Sequence, residues 1–266
     1  MPIHPTAIIA PTAKIGSDVE IGPYCIIGED VEIGDGSWLQ HHVTVMGPTK
    51  IGKNNRFYAY GSIGQRSQDL KYKAEPTYLE IGDDNTFREF CSVHRATSPG
   101  DKTLIGSHNN FLSYVHIAHD CIVGNHVIFS NNGTLAGHVV VEDHVILGGL
   151  SAVHQFCRIG TRSIIGGCSK IVQDVTPFST SDGNPARTRG LNLVGLQRAG
   201  FAKDQIRAIR AAFRKVYRSG LNNAQAVEEL RAGELTPEAA YFADFVATTK
   251  RGITPGSKAG ADDGED

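Results

Sequence analysis

The stretch VEIGPYCIIGEDVEIGDGSWL, residues 19–39, places a large aliphatic residue at every sixth position. Ile21, Ile27 and Ile33 are each followed by glycine, and Leu39 continues the series. From Ile3 to residue 171 the same frame holds an apolar residue at 26 of 29 positions, whereas the 40% apolar composition would give about 12 by chance. A period of six matches neither the turn of a helix nor the two-residue alternation of an ordinary strand.

A parallel β-helix of hexapeptide repeats does have this period, because three short strands form one triangular coil and one aliphatic per strand points to the axis. We therefore predict an all-β prism of eight to nine coils over residues 1–175. The glycine that repeatedly follows the aliphatic marks a turn that accepts only a small residue or one with positive φ. Four of the five cysteines occupy the position two before the aliphatic, which predicts that they are buried packing residues: Cys25, Cys91, Cys121 and Cys157.

The frame also divides the chain. It lapses near residues 64–77 (GQRSQDLKYKAEPT) and 95–103 (RATSPGDKT), which predicts two excursions from the prism, and such excursions commonly carry binding residues. Residues 176–190 have the composition of a turn-rich linker, and residues 191–251 show helical periodicity and capping signals. We expect residues 252–266 to form a disordered acidic tail.

Composition and charge exclude several classes of protein. The 26 basic and 28 acidic residues give a net charge of −2, which argues against a nucleic-acid partner. The sequence has no apolar run of roughly 18 residues, so we expect no transmembrane segment. The start MPIH does not resemble a signal peptide, and we expect a cytoplasmic protein. Five cysteines without a C-x-x-C pair do not predict a zinc ribbon or a complete disulfide framework.

The repeat places histidines in one column, because residues 18 apart lie one above another. His119 falls over Gly137, and Gly137 falls over Gln155. Further histidines adjoin this column, with His94 on the coil above: His94, His116, His138 and His154. An imidazole beside a carboxylate, here Asp120, is a candidate general base, and the N–H of Gly137 is a candidate oxyanion donor. A prism face is convex, so a pocket needs a second surface, which a trimer could supply.

Two other features remain open at this point. Three histidines could instead hold zinc with a position left for water, although His116 and His119 are not obviously convergent. Separately, residues 198–218 contain seven basic side chains against one acid, Asp204. This local basic patch suits an acidic protein or a phosphate-bearing ligand.

Five motifs occur in order on this framework: QDLKY (68–72), HIAHD (116–120), AGH (136–138), VHQF (153–156) and GLQRAGF (195–201). Together they resemble the UDP-N-acetylglucosamine 3-O-acyltransferases, the first enzymes of lipid A synthesis. The resemblance implies a left-handed parallel β-helix with a C-terminal α-helical domain, assembled as a homotrimer with active sites between subunits. It implies transfer of an R-3-hydroxyacyl chain from acyl carrier protein to the 3-hydroxyl of UDP-N-acetylglucosamine. It implies no metal, and no cofactor beyond the carrier-protein thioester.

The resemblance also assigns roles. It implies that His119 is the general base, that Asp120 orients it and that the N–H of Gly137 binds the thioester oxyanion. Gly167 matches the ruler that sets acyl-chain length, where a small residue leaves room for a longer chain. The basic helix would receive the acyl carrier protein. The residues expected to bind substrate are Gln68, Asp69, Lys71, His94, His116, His138, His154, Gln155, Asn192 and Arg198.

The sequence departs from the family pattern at Pro185, Val194 and Ala199, near the expected nucleotide contacts, which leaves a 3-amino sugar nucleotide open as the acceptor. Three other functions fit a hexapeptide prism. A coenzyme A-dependent acetyltransferase would require neither the first excursion nor the basic helix, and a γ-class carbonic anhydrase would bind zinc. A non-catalytic scaffold gives no reason to stack histidines in one column.

Overall fold

Short strands recur every six residues in a computed structural model, which describes residues 3–257. The strands, numbered β1 to β27 in chain order, are Ile8–Ile9, Lys14–Ile15, Glu20–Ile21, Ile26–Ile27, Val31–Ile33, Trp38–Leu39, Thr44–Val45, Thr49–Ile51, Arg56–Phe57, Ser62–Gln65, Tyr78–Ile81, Thr86–Phe87, Ser92–His94, Lys102–Ile105, Asn110–Phe111, His116–Ile117, Ile122–Val123, Ile128–Phe129, Thr134–Leu135, Val140–Val141, Ile146–Leu147, Ala152–Val153, Arg158–Ile159, Ile164–Ile165, Lys170–Ile171, Ser179–Gly183 and Ala186–Leu191.

Three parallel sheets form the faces of a triangular prism. The first face contains β1 and every third strand up to β25, the second runs likewise from β2 to β23, and the third from β3 to β24. Where no excursion intervenes, paired residues are 18 apart, as in Ile117↔Leu135. The fold is therefore the predicted left-handed parallel β-helix. We call the turns from face one to two, two to three and three to one the first, second and third corners.

The aliphatic frame forms the axis of the prism. Ile27, Leu135 and Ile171, like most of their equivalents, are at most 4% exposed. Where the frame residue is phenylalanine, the rings stack along the axis, with centroids 4.9 Å apart for Phe57 and Phe87. The four cysteines predicted as packing residues are buried, and the fifth is exposed. Burial of one large apolar side chain per strand is the main stabilising term of such a prism.

The glycines after the aliphatics are required by the neighbouring coil and not by their backbone conformation. A Cβ at Gly22 would lie 2.0 Å from the carbonyl oxygen of Gln40, one coil away. Among these glycines in residues 3–257, only Gly64, where the first excursion begins, has positive φ; elsewhere the left-handed residues lie two positions further on, at Asp18, Tyr24 and their equivalents. The small-residue half of the prediction is correct, and the positive-φ half is wrong except at Gly64, because the regular turns place their left-handed residue later.

Four helices follow the prism: α1 (Leu193–Arg198), α2 (Lys203–Arg218), α3 (Asn223–Arg231) and α4 (Pro237–Ala247). Their apolar faces form a second core that includes Phe213 and Phe242. The helices are anchored to the last coils by Arg158, whose guanidinium lies 4.0 Å from the ring centroid of Phe245. A helix-capping hydrogen bond from Ala239 N–H to the Thr236 hydroxyl begins α4.

The structure differs from the sequence expectation at two boundaries. Residues 176–190, expected as a linker, contain most of an antiparallel hairpin of β26 and β27 that extends the third face. Residues 252–257, expected in the disordered tail, pack on the prism through Ile253 and through a 2.7 Å hydrogen bond from Thr254 N–H to Asp174. Both segments lack the six-residue period, so the repeat pattern could not predict their structure. Residues 258–266 of the expected tail lie outside the described residues.

The close approach of coils makes a stability prediction. Gly22→Ala is expected to lower the free energy of unfolding by about 2 kcal/mol, because the new methyl must push two coils apart. Gly190→Ala is the matched control, since a Cβ there meets no atom within 4 Å. Thermal unfolding of both variants checks this, and equal midpoints for the two would contradict it.

Candidate active site

The first corner collects the excursions and the histidine column. Residues 66–77 leave the prism between β10 and β11, and residues 95–101 leave between β13 and β14. The next two coils place His119 and Gly137 at the same corner, after β16 and β19. Because strands stack at about 4.8 Å, consecutive corners bring these segments within side-chain reach of one another. The structure therefore builds one site at this edge from four consecutive coils.

His119 lies against Gly137 and Asp120. A Cβ at position 137 would lie 2.3 Å from Cε1 of His119, so only glycine leaves room for the imidazole. His119 Nδ1 is 2.7 Å from Oδ2 of Asp120. Within residues 3–257 the N–H of Gly137 has no hydrogen-bond acceptor. The corner therefore presents an imidazole held by a carboxylate, next to an available backbone donor.

Several donors fix the Asp120 carboxylate. Its Oδ1 accepts the N–H of Thr97 at 3.2 Å, and Nε2 of His138 lies 3.7 Å from Oδ2. Burial alone would raise the pKa of Asp120, but the hydrogen bonds from His119 and Thr97, together with His138, outweigh it and hold that pKa below its usual value. An ionised Asp120 keeps a proton on Nδ1 of His119 and leaves Nε2 as a free base.

Two of the neighbouring histidines, His94 and His116, are neutral at neutral pH. Burial, together with His116 and His119, lowers the pKa of His94 to about 4. Burial and His119 also lower the pKa of His116, whose Nδ1 lies 2.7 Å from the hydroxyl of Ser92. Since a neutral imidazole both donates and accepts, these two side chains can bind hydroxyl groups without adding charge.

A groove of about 590 Å³ lies beside the histidines. Its lining includes Gln68 and Asp69 of the first excursion together with His94, so three of the predicted substrate-binding residues meet there. Asp69 also shapes its own turn, because its Oδ1 accepts the N–H of Lys71 at 2.9 Å. The side chain of Lys71, in the same turn, is exposed. The excursion therefore forms a polar wall next to the candidate base.

The remaining predicted residues do not all reach this corner. His154 and Gln155 lie on it one coil beyond Gly137, where the ring of His138 stacks on Phe156 at 4.6 Å. Asn192 caps α1 by accepting the N–H of Gly195 and bonds the carbonyl oxygen of a second-corner residue, Arg162.

Gly167 lies at the third corner, and Arg198 is exposed at the end of α1. At Gly167 a Cβ would lie 3.3 Å from the carbonyl oxygen of Gly149. The position therefore borders a glycine-lined strip of surface. One chain therefore places the predicted site residues along the first corner, at the third corner and at the two ends of α1.

Sequence reasoning missed the polar residues that hold this site. Thr97 and Ser67 belong to different excursions, and their hydroxyl oxygens lie 2.7 Å apart. Both lie where the six-residue frame lapses, so no aliphatic residue marks their positions. Thr103, whose hydroxyl accepts the N–H of Asp120 at 2.8 Å, does lie in the slot two before the aliphatic Ile105. That slot could have identified it as a buried small residue.

Potential metal ligands also occur here. One ligand atom each from His119, Asp120 and His138 lies within 4.8 Å of the other two. Three such atoms could hold a divalent cation, although Nδ1 of His119 already bonds Asp120. The prediction that the protein uses no metal therefore stays a prediction, which metal analysis can test.

A hexapeptide β-helix with a carboxylate-supported imidazole at its corner defines a class, the hexapeptide-repeat acyltransferases. Residues 174–254 match the family described as UDP N-acetylglucosamine O-acyltransferase, domain 2. The acyl-[acyl-carrier-protein]--UDP-N-acetylglucosamine O-acyltransferase of Stutzerimonas stutzeri is 47% identical over 95% of this chain and 98% of its own. The chain belongs to this family of acyltransferases.

Solved structures agree with this assignment. LpxA from Acinetobacter baumannii is 49% identical, with a TM-score of 0.93 over 96% of this chain and 100% of its own. An Arabidopsis UDP-N-acetylglucosamine acyltransferase is 38% identical, with a TM-score of 0.84 over 96% of this chain and 100% of its own. Within residues 3–257, the helices are too short or too polar to cross a membrane.

The buried histidines predict how stability depends on pH. A histidine whose pKa is lowered on folding binds fewer protons when folded, so stability falls as the pH drops from about 6.5 to about 4. Over this pH range, the free energy of unfolding of His94→Gln should fall by up to about 3 kcal/mol less than that of wild type. Denaturant unfolding at several pH values checks it, with exposed His126→Gln as the control. An unchanged slope in His94→Gln would contradict the assignment.

Proposed function

We propose that this protein transfers an R-3-hydroxyacyl chain from acyl carrier protein to the 3-hydroxyl of UDP-N-acetylglucosamine, the first step of lipid A biosynthesis, in the cytoplasm. The observation that carries the proposal is the contact of His119 with both Asp120 and Gly137. Acyl transfer to a hydroxyl needs a base for the hydroxyl and a donor for the oxyanion, and this corner offers both. The relatives, which are named as acyltransferases of UDP-N-acetylglucosamine that use acyl carrier protein, support the choice of substrates.

In the proposed mechanism, Nε2 of His119 takes the proton of the sugar hydroxyl as its oxygen attacks the thioester carbonyl. The tetrahedral oxyanion accepts the N–H of Gly137. Asp120 stabilises the imidazolium that forms and keeps the ring in its orientation. When the intermediate collapses, the C–S bond breaks and the imidazolium returns its proton to the leaving thiolate. No enzyme nucleophile is needed, and the buried cysteines are not available as one.

Substrate contacts follow from the position of each side chain along the corner. Gln68, Asp69 and Lys71 of the first excursion are proposed to hold the glucosamine and the acyl-pantetheine group. The neutral His94 and His116 are proposed to contact the sugar hydroxyls. On the following coils, His138, His154 and Gln155 extend along the same edge and are proposed to contact the sugar and diphosphate.

A homotrimer completes the proposed site. Asn192 and Arg198, the proposed nucleotide and phosphate contacts, belong to α1, and Gly167 lies at the third corner. His119 lies at the first corner of the same chain. Residues on different corners can share one pocket when the first corner of one subunit faces another corner of a second. The distribution of these residues therefore supports an active site between subunits.

The basic helix α2 is proposed to dock acyl carrier protein. Lys203, Arg207 and Arg214 are exposed on it, and positive charge on one helix attracts an acidic carrier. Lys215 is already paired with Glu229 at 2.6 Å. These three exposed side chains carry positive charge that is available to a partner.

The first functional test is a product assay with purified protein. Wild type should acylate UDP-N-acetylglucosamine from 3-hydroxyacyl carrier proteins and not from acetyl-coenzyme A. His119→Ala should lower the rate by roughly 10²- to 10⁴-fold, because the general base is lost. His126→Ala, an exposed histidine near the second corner, should stay within about twofold of wild type. Mass spectrometry identifies the product.

Each alternative function has its own result in the same assay. Product from acetyl-coenzyme A alone would indicate an acetyltransferase, and a preferred 3-amino sugar nucleotide would move the acceptor from oxygen to nitrogen. Stoichiometric zinc that is essential for activity would contradict the metal-free mechanism. Full activity in His119→Ala would remove His119 as the base.

Acyl-chain length gives a second prediction. Gly167→Met should shift the preferred donor to a shorter chain, because the new side chain would fill space proposed to hold the end of the acyl group. The ratio of kcat/KM values for long and short donors should change by about tenfold or more. Lys170→Met, an exposed substitution on β25, is the control. An unchanged ratio in Gly167→Met would contradict the ruler role.

A further inference from the structure

A chain of hydrogen bonds joins the two excursions to Asp120. The N–H of Asp69 donates to Oγ of Ser67 at 3.1 Å, and Oγ of Ser67 lies 2.7 Å from Oγ1 of Thr97. The N–H of Thr97 donates to Oδ1 of Asp120 at 3.2 Å, and the Thr97 hydroxyl, turned to the same carboxylate, helps to hold its pKa low. Ser67 and Thr97 are both buried. The chain ends at His119, which is bonded to the other carboxylate oxygen.

The direction of these bonds follows from the chemistry of their ends. An ionised carboxylate only accepts, so the Thr97 hydroxyl donates its proton to Asp120. Oγ1 of Thr97 can then only accept from Ser67, and Ser67 accepts from the N–H of Asp69. All donors point toward the carboxylate, and such aligned bonds strengthen one another in a buried setting.

We propose that Thr97 is the positioning residue of the base, and that Ser67 connects it to the substrate-binding turn at Asp69. Thr97 and the Nδ1–H of His119 bind different oxygens of the Asp120 carboxylate, so Thr97 sets the carboxylate rotation that aims His119. Ser67 fixes Thr97 relative to Asp69, so His119 and the groove wall at Asp69 keep a constant position relative to each other. The inference rests on the proposed function, in which Asp69 binds substrate and His119 takes the proton of the sugar hydroxyl.

Two substitutions at Thr97 separate its hydroxyl from its shape. Thr97→Val keeps the branched side chain and the backbone N–H but removes the hydroxyl, and it should lower kcat about tenfold with KM for UDP-N-acetylglucosamine changed less than about twofold. Thr97→Ser restores the hydroxyl and should recover most of kcat. Ser67→Ala should lower kcat by a smaller factor, about threefold, since Thr97 still bonds Asp120. Thr49→Val is the control, because Thr49 is buried and bonds only locally, to Met46.

A double-mutant cycle tests whether Thr97 acts through Asp120. In the Asp120→Asn background, Thr97→Val should change kcat by less than about twofold, because the group it positions is gone. A tenfold loss in that background as well, or a Thr97→Ser variant as slow as Thr97→Val, would overturn the proposal and leave Thr97 as a packing residue.

A readout that does not need turnover separates this inference from the proposed function. The Nδ1–H of His119, bonded to a carboxylate, should give a downfield proton resonance that is absent in His119→Gln. It should be lost or broadened in Thr97→Val and retained in Thr97→Ser and Thr49→Val. If wild type transfers no acyl group but the resonance responds in this way, the function fails and the positioning role stands. An identical resonance in Thr97→Val overturns the positioning role whatever the activity.

Discussion

The distance between successive coils is the constraint on which the rest of the structure depends. Neighbouring strands in a parallel sheet lie about 4.8 Å apart, which is little more than the thickness of an aromatic ring. Any side chain that folds over the next coil therefore needs a glycine beneath it or must point outward. At the first corner this constraint selects Gly137 under the His119 ring, and at Gly22 the backbone carbonyl of Gln40 on the next coil leaves no room for a Cβ. The site and the scaffold obey the same packing rule.

The sequence predicted those parts of the structure that follow the six-residue repeat. Because every coil repeats the same register, the positions of His119 and Gly137 in the frame were enough to stack them, and the buried cysteines followed from one slot of the repeat. The predicted reason for the glycines after the aliphatic residues was partly wrong. The frame locates a turn but does not show which of its residues is left-handed, and Asp120 and His138 prove to hold that conformation at the site.

The features that the sequence could not predict depend on tertiary contacts outside the six-residue repeat. Ser67 and Thr97 meet because two excursions of different length leave the same corner and pack together, 30 residues apart where an uninterrupted coil would give 18. The hairpin of β26 and β27 and the return of residues 252–257 likewise depend on the shape of the last coil. In a solenoid, each coil constrains only its neighbours, so irregular segments are specified by tertiary contacts alone.

The burial of the other histidines has a consequence for the proposed proton transfer. His119 must become positively charged as the sugar hydroxyl loses its proton. Two positive charges about 5 Å apart repel by roughly 3 kcal/mol at an effective dielectric constant of 20. A protonated neighbour would therefore oppose the transition state. Because burial lowers the pKa of His94 and His116, both stay neutral, and the charge that forms on His119 is met by the Asp120 carboxylate.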